Sequence, residues 1–293
     1  MKMKALFLAV ALVGVSLSAS ATPLYVGTNL TPKNNISFGF GYTPTKKAYG
    51  VTGKTGTITN YALKSDYNVI ENLALGLDLP FYWAGKNANI TATATTAKAK
   101  FGLGNMGINA NWNQRLNETS DDMAWGYSVA LAAYFPTAVK DETVAVQTSN
   151  VALDLHRYGR KWSSIIPTAG LFIENEMFMA KINTGVGYSY IGKKNRGPGD
   201  QSRFNVPSQL GLSYKVMPNF AVNAEYNTMF LDKTTKAEMA IGTKQARLRQ
   251  VATPSLSGNF EGIMGQAYVN LPVDSTSRKA NALAAGVNLG YMF

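Results

Sequence analysis

His156, the only histidine of the chain, has the side chain best suited to acid-base chemistry. If Asp154-Leu155-His156 lies in a strand, the Asp154 and His156 side chains share one face. A carboxylate beside a histidine can activate water for hydrolysis when both are within hydrogen-bond reach. The adjacent acids Asp121 and Asp122 point to opposite faces of a strand, so they add little to such a site. A histidine of a wall or loop is the simpler interpretation.

Three further patterns lack the context that their chemistry needs. Ser163 and Ser164 follow the histidine, but a nucleophilic serine needs a base and an orienting third group at fixed geometry. Residues 102–107, Gly-Leu-Gly-Asn-Met-Gly, match the dinucleotide fingerprint. That motif works between a strand and a helix, whereas here a strand pattern runs through it, so we interpret its glycines as packing or bending residues. One histidine and no cysteine argue against a transition-metal site. We predict no catalytic residue, cofactor or metal.

The elements that position these residues are strands, because bulky apolar residues alternate with small or polar ones in stretches of about ten. In residues 72–83 the bulky face consists of Leu73, Leu75, Leu77, Leu79, Phe81 and Trp83. The other face consists of Ala74, Gly76, Asp78, Pro80 and Tyr82. The design recurs in 123–135, 177–190, 204–216 and 219–231. Bulky faces with aromatic ends suit lipid, and small polar faces suit a wet lumen, so the pattern predicts an all-β, transmembrane, antiparallel up-and-down barrel.

The number of strands follows from the same alternation. We identify eleven strands, at 34–44, 56–68, 72–83, 99–113, 123–135, 164–173, 177–190, 204–216, 219–231, 260–271 and 281–293. Bacterial single-chain barrels usually have an even number of strands. We therefore expect another strand in 236–252 or 147–157, giving twelve in all, with ten and fourteen as alternatives. In 99–113 the apolar residues change from odd positions (Phe101) to even ones (Ile108), which predicts a bulge near Gly104.

The connections alternate in length. Short turns are expected at 69–71, 174–176 and 217–219. Longer polar segments are expected at 45–55, 84–98, 136–149, 191–203 and 232–258. Short periplasmic turns and long outer loops are typical of outer-membrane barrels.

The two ends of the chain predict export and assembly. Lys2 and Lys4 precede an apolar core at 5–17, and Ala19-Ser20-Ala21 provides small residues at a cleavage site. We therefore predict a signal peptide at 1–21 and an outer-membrane β-barrel at 22–293, in a Gram-negative bacterium. The last strand alternates and ends on Phe293. A terminal aromatic residue is typical of the signal that the barrel assembly machinery recognises.

Composition narrows the class of protein. Charged residues make up 15% of the chain, below the roughly 25% of soluble domains, and hydrophobic residues make up 46%. Loss of Lys2 and Lys4 lowers the net charge from +11 to +9. Export argues against nucleic acid as a partner, and leaves either an anion-attracting pore or scattered loop lysines as the reason for this charge. The expected partners are outer-membrane lipid and lipopolysaccharide, the assembly machinery through Phe293, and small solutes.

The inward faces predict the lumen. The lumen-lining candidates are Lys64, Asp66, Asp78, Asn109, Asn111, Lys181, Gln209, Lys215, Asn223 and Glu225. Amides with mixed charges suit weakly selective passage of polar solutes. A lumen filled by paired side chains or by a loop remains the alternative.

Several segments resemble a family of predicted outer-membrane channels found near meta-pathway genes for phenol degradation. The resemblance lies in Asn72 to Pro80, in Phe101 to Asn105, and in Gln209 through Tyr226. It implies a small hydrophobic or aromatic cargo. We therefore predict an outer-membrane channel or transporter for passive passage of small solutes. The alternatives are a barrel protease using Asp154 and His156, and a structural or adhesive barrel acting through its extracellular loops.

Overall fold

The computed structural model describes residues 34–44, 57–85, 100–116, 123–138, 155–158, 162–192, 202–232, 247–275, 278 and 283–293. The strands are β1 (Asn35–Pro44), β2 (Thr57–Ile70), β3 (Leu73–Ala84), β4 (Lys100–Leu103), β5 (Gly107–Arg115), β6 (Ala124–Tyr134), β7 (Trp162–Glu174), β8 (Phe178–Gly185), β9 (Gly187–Ile191), β10 (Ser202–Met217), β11 (Phe220–Leu231), β12 (Leu248–Phe260), β13 (Ile263–Pro272) and β14 (Ala284–Met292). A short helix, α1, spans Leu155–Tyr158. Within these described segments, no helix has the length and apolar character needed to cross a membrane.

The strands form one closed antiparallel barrel. β14 pairs with β1, and β10 pairs with β11, so the sheet has no open edge along its described path. β4 and β5 both pair with β3 and form one crossing. β8 and β9 both lie between β7 and β10 and form another. The fourteen segments therefore make twelve barrel strands, which confirms the predicted fold and count.

The expected twelfth strand is β12, which lies mostly beyond the predicted interval 236–252. The expectation that 232–258 is all loop is therefore wrong from Leu248 onward. The outward face of β12 includes Gln250, Ala252 and Pro254, so its alternation is too weak to stand out in the sequence. In the other interval, 147–157, the described residues belong to α1 rather than to a strand.

The predicted bulge near Gly104 is confirmed by the pairing register. On β3, Phe81 faces Leu103 and Asp78 faces Gly107. Three residues, 104–106, therefore lie opposite two, which is the definition of a bulge. The extra residue reverses which positions face outward, so Phe101 and Ile108 are both exposed.

The assignment of faces is also confirmed. On β10, Phe204, Leu210 and Leu212 are exposed, whereas Asn205 and Gln209 are buried inside the barrel. Other strands repeat this contrast along the ring. In a closed barrel with an apolar exterior, every ladder group is paired and the exterior can meet hydrocarbon.

The predicted short turns lie at one end of the barrel. Turns are described at Glu71–Asn72, at Pro218–Asn219 and at Glu261–Gly262. Asn72 has φ 71° and Gly262 has φ 87°, the left-handed conformation that Asn and Gly tolerate in tight turns. The chain enters β1 and leaves β14 at this same end, where the Phe293 amide donates to the Asn34 carbonyl oxygen at 2.9 Å.

Inward aromatic rings lie across from glycines on neighbouring strands. The cross-strand pairs are Tyr82 with Gly102, Tyr134 with Gly107, Phe172 with Gly126 and Tyr268 with Gly286. A Cβ atom at any of these four glycines would approach the ring to between 2.4 and 2.6 Å. Each ring thus occupies the space that a side chain on the next strand would need, and the barrel wall is closely packed at these four places.

Candidate functional site

The ten predicted lumen residues all lie on the inward face, in two groups on opposite walls of the ring. The first group, on β2, β3 and β5, is Lys64, Asp66, Asp78, Asn109 and Asn111. The second group, on β8, β10 and β11, is Lys181, Gln209, Lys215, Asn223 and Glu225. Six are buried, and Lys64, Asp66, Asn109 and Lys215 are half-buried. Their role in passing solutes stays a prediction.

On the first wall, side chains converge over Gly76. Register places Asp66 and Asn109 on either side of this glycine. A Cβ atom there would lie 2.3 Å from an Asp66 carboxylate oxygen and 2.5 Å from the Asn109 amide. Asn109 accepts a hydrogen bond from the Asn111 amide, and Asp66 accepts one from Asn35 at 3.3 Å. The glycine therefore allows a continuous polar surface across three strands.

On the second wall, amides and hydroxyls form chains of hydrogen bonds. Ser128 donates to Asn183 Oδ1 at 3.0 Å, and Asn183 donates to Gln209 at 3.4 Å. Gln209 Nε2 then donates to Glu225 at 2.9 Å. Nearer the short turns, Asn223 accepts from Ser213 at 2.7 Å. These partners satisfy many of the polar groups that the inward face buries.

The helix α1 lies inside the barrel, which the sequence did not indicate. Its His156 and Arg157 are 1% and 0% exposed. Arg157 Nε forms an ion pair with the buried Asp78 carboxylate on β3. Asn105, in the bulge, donates its side-chain amide to the His156 carbonyl oxygen at 2.9 Å and its main-chain N–H to the Arg157 carbonyl oxygen. The bulge therefore anchors α1 to the barrel wall.

The glycines of the apparent dinucleotide fingerprint are packing residues, as predicted. Gly102 lies under the Tyr82 ring and Gly107 under the Tyr134 ring. At Gly104, a Cβ atom would lie 2.5 Å from the Arg157 carbonyl oxygen. The spacing of the motif thus follows from two aromatic contacts and the close approach of α1.

His156 lies against β6, β9 and β10. Its ring stacks on Tyr134 with centroids 5.9 Å apart, and its Nδ1 lies 3.5 Å from Ser189 Oγ. Burial, and to a lesser extent the charge of Arg203, lower the pKa of His156 to about 3, while the Asn205 side chain acts in the opposite direction. His156 is in α1, outside the membrane-crossing strands. It is uncharged at neutral pH and is a weak general base.

The expected strand at His156 is wrong, because Leu155–Tyr158 is helical. Asp154, Asp121 and Asp122 lie outside the described residues. Ser164 faces inward and donates to Ser189 at 2.9 Å, whereas Ser163 is on the outward face. Among the described residues, no group of three or more His, Cys, Asp or Glu side chains is placed to hold a metal ion.

The residues that the sequence analysis missed are Asn105, Arg157, Trp162, Arg203 and Asn205. The Arg203 guanidinium lies 4.6 Å above the Trp162 ring, and Asn205 is fully buried beside His156. The loss of strand phase at Gly104 was the one signal for this region. It located the bulge but not the segment that binds there.

Solved structures share this architecture. An outer-membrane channel from Pseudomonas putida F1 matches with a TM-score of 0.57 and 13% sequence identity, over 94% of this chain and 98% of that chain. This chain shares the barrel fold of that protein. The NalP autotransporter translocator domain from Neisseria meningitidis (10% identity, 89% of each chain) matches with a TM-score of 0.45. The KdgM porin in complex with oligogalacturonate (8% identity, 88% of this chain, 99% of that chain) has the same score.

No protein-family model matches the sequence, and no curated protein matches it. The channel fold and its apolar exterior agree with the predicted location in the outer membrane, where the barrel contacts lipid. The predicted signal peptide at 1–21 lies outside the described residues. Recognition of Phe293 by the assembly machinery stays a prediction.

Proposed function

We propose that this barrel is a passive outer-membrane channel for small solutes and not an enzyme. The observation that supports this most is the contrast between its two faces. The inward face carries hydrogen-bonded amides, hydroxyls and charges, and the outward face carries bulky apolar side chains. A polar lumen with mixed charges suits weakly selective passage of solutes, because charges along the wall set pore selectivity. The ten predicted lumen residues would form the wall of this path.

In this proposal, α1 forms the constriction. Its two described side chains are buried within the ring of strands, and the Asp78 ion pair and the Asn105 hydrogen bonds hold them there. These contacts can break without disturbing any strand ladder, since α1 pairs with no strand. A solute path can therefore open while the barrel stays intact.

The class of cargo follows from the sequence resemblance, which implies small hydrophobic or aromatic compounds. The Tyr134 ring stacks on His156 of α1, and Trp162 lies nearby against Arg203, so undocking of α1 would offer flat apolar surfaces to a solute. Such surfaces in a polar lumen favour solutes with one aromatic ring over larger or strongly hydrated ones.

The two alternative functions, a protease and an adhesive barrel, require different features of the molecule. A protease would need His156 as a base, and its lowered pKa makes it poorly suited to that role at neutral pH. An adhesive barrel acting through its loops would need no passage through the lumen. Cleavage of a peptide that is lost in a His156→Ala variant would favour the protease.

Planar-bilayer recording tests the channel. We expect the refolded protein to produce discrete conductance steps that depend on its insertion. An exposed-turn variant, Glu71→Gln, controls for refolding and for the loss of one charge. If neither protein conducts, and solute-driven swelling of liposomes is also absent, the channel function is wrong.

A further inference from the structure

A patch of buried polar groups lies on the inward wall where β7, β9 and β10 meet. Register places Ser164, Ser189 and Arg203 in one row across these three strands. Asn205 lies one inward position further along β10, opposite Gly187, which has no side chain. Trp162 precedes this row on β7, and His156 covers it from α1. The patch is thus a defined corner of the lumen beside the constriction.

Several polar atoms of this patch are buried without a hydrogen-bond partner. They are the Nε1 of Trp162, the Nε2 of His156 and both amide atoms of Asn205. Asn205 lies beside the His156 ring, yet neither of its amide atoms makes a hydrogen bond of normal geometry. Buried polar groups are almost always paired, so an unpaired cluster calls for an explanation.

The hydroxyls of Ser164 and Ser189 indicate which atoms of the cluster act as hydrogen-bond donors. Ser164 donates to Ser189 at 2.9 Å, which leaves the Ser189 proton to point at His156 Nδ1, 3.5 Å away. With the Ser189 proton placed on this contact, we assign the ring proton of the neutral histidine to Nε2. His156 Nε2–H, Trp162 Nε1–H and Asn205 Nδ2–H₂ are then all donors, and the Arg203 guanidinium adds positive charge next to Trp162.

We propose that this corner binds the carboxylate group of a small organic acid passing through the barrel. A carboxylate offers about four acceptor positions in one plane and forms strong hydrogen bonds with N–H donors near a guanidinium. The Trp162 and Tyr134 rings favour an aromatic acid over an aliphatic one. This inference rests on the channel function proposed above and adds a specific solute class to it.

The barrel provides a matched control residue. Asn60 is also buried, and neither of its amide atoms has a hydrogen-bond partner. It is the fourth residue of β2, as Asn205 is the fourth of β10, and these two strands lie on opposite sides of the ring. Asn60→Leu and Asn205→Leu therefore make the same change at the same position along a strand. Only Asn205→Leu alters the donor cluster.

The experiment measures binding of benzoate and of benzyl alcohol to the refolded protein, by calorimetry and by tryptophan fluorescence, at constant chloride and ionic strength. We expect saturable benzoate binding in the wild type and in Asn60→Leu. In Asn205→Leu and Trp162→Phe we expect affinity at least about tenfold weaker, the usual effect of losing one charge-assisted hydrogen bond. Benzyl alcohol, which lacks the carboxylate, should bind at least about tenfold more weakly to the wild type.

Two results would overturn the site: no saturable benzoate binding by the wild type, or equal affinities for Asn205→Leu and Asn60→Leu. Circular dichroism and heat-modified electrophoretic mobility would verify that every variant is folded. Conductance in plain potassium chloride is recorded separately for the same preparations. A barrel that conducts but does not bind benzoate would refute this site alone, whereas a barrel that never conducts would refute the channel function.

Discussion

At the scale of single residues, the decisive contact is the ion pair between Asp78 and Arg157. Both side chains are almost fully buried, so neither charge is solvated once its partner is gone. Breaking a buried pair by removing one partner is far more costly than replacing both, because an uncompensated charge stays behind. In the proposed channel, undocking of α1 would relieve that cost, and this one side-chain contact would then control the width of the lumen.

We therefore predict that Asp78→Asn raises the single-channel conductance. Loss of the Asp78 carboxylate removes a buried partner of Arg157 and destabilises docked α1 by roughly 3–5 kcal/mol, the typical cost of breaking a buried ion pair from one side. Planar-bilayer recording would measure the effect, with Glu71→Gln as the charge-matched control. A double variant, Asp78→Asn with Arg157→Met, removes the stranded charge and should return the conductance toward the wild-type value. Unchanged conductance in Asp78→Asn would show that this ion pair does not hold a constriction.

The lowered pKa of His156 predicts opening of the channel in acid. Docked His156 has a pKa of about 3, whereas a solvated histidine has one near 6.5. Docking is therefore fully stable above pH 6.5 and loses stability as the pH falls toward 3, because undocked His156 binds a proton more readily. At pH 5 the undocked fraction should be about 30-fold higher than in alkaline solution.

Conductance recorded between pH 8 and pH 5 would measure this opening. A His156→Gln variant keeps a polar side chain but cannot gain a charge in this range, so its conductance should change little. An equal response of both proteins to acid would assign the effect to another group, such as a carboxylate of the lumen wall.

At the scale of elements, pairs of inward rings and glycines fix how neighbouring strands pack. Tyr268 on β13 lies across from Gly286 on β14, next to the pairing of β14 with β1 that closes the barrel. A Cβ atom at Gly286 would lie 2.2 Å from the Phe40 carbonyl oxygen and 2.4 Å from the Tyr268 ring. The Phe40 oxygen belongs to the backbone of β1, so it cannot move aside without disturbing the ladder.

Gly286→Ala should accordingly destabilise the barrel by about 1–3 kcal/mol, the usual cost of overpacking a dense interior. Unfolding by urea in lipid vesicles would measure the loss. Gly265→Ala on the neighbouring β13 is the control, because the nearest atom to its Cβ would be a leucine methyl carbon at 3.8 Å. Similar midpoints for the two variants would mean that the strands shift easily at the closure.

Elements also illustrate how far the sequence predicts structure. The phase change in 99–113 located a bulge correctly, because one added residue always reverses the alternation of a strand. β12 was hidden because its outward face includes Gln250 and Pro254, and pairing on both sides holds it in place instead of strong alternation. Helix α1 has four residues, too few to produce a periodic signal.

At the scale of the whole molecule, the barrel is an inverted protein, with its bulky apolar residues outside and its polar residues inside. Residues that are adjacent in the chain differ strongly in their exposed fraction. On β10, Leu210 is 43% exposed and Gln209 is 5% exposed, and both lie near the middle of the strand. One step along the backbone thus separates lipid from lumen.

This contrast predicts opposite outcomes for the same substitution at adjacent sites. Leu210→Arg should cost about 2–4 kcal/mol, because it places a charge on the lipid face near the bilayer midplane. Gln209→Arg should cost much less, since the new guanidinium would lie beside Glu225, which Gln209 already contacts at 2.9 Å. Reversible unfolding in vesicles would compare the two, and equal costs would contradict the assignment of faces.

The sequence by itself determined which residues face lipid and which face the lumen, and hence the barrel class. Both follow from the two-residue period of a strand, a local property that needs no knowledge of the partners. Only the tertiary structure decided that Asp78 pairs with Arg157, 79 residues further along the chain, and that Asn105 anchors α1. Those contacts depend on how a loop returns into the closed ring, and no period in the sequence records where a returning loop binds.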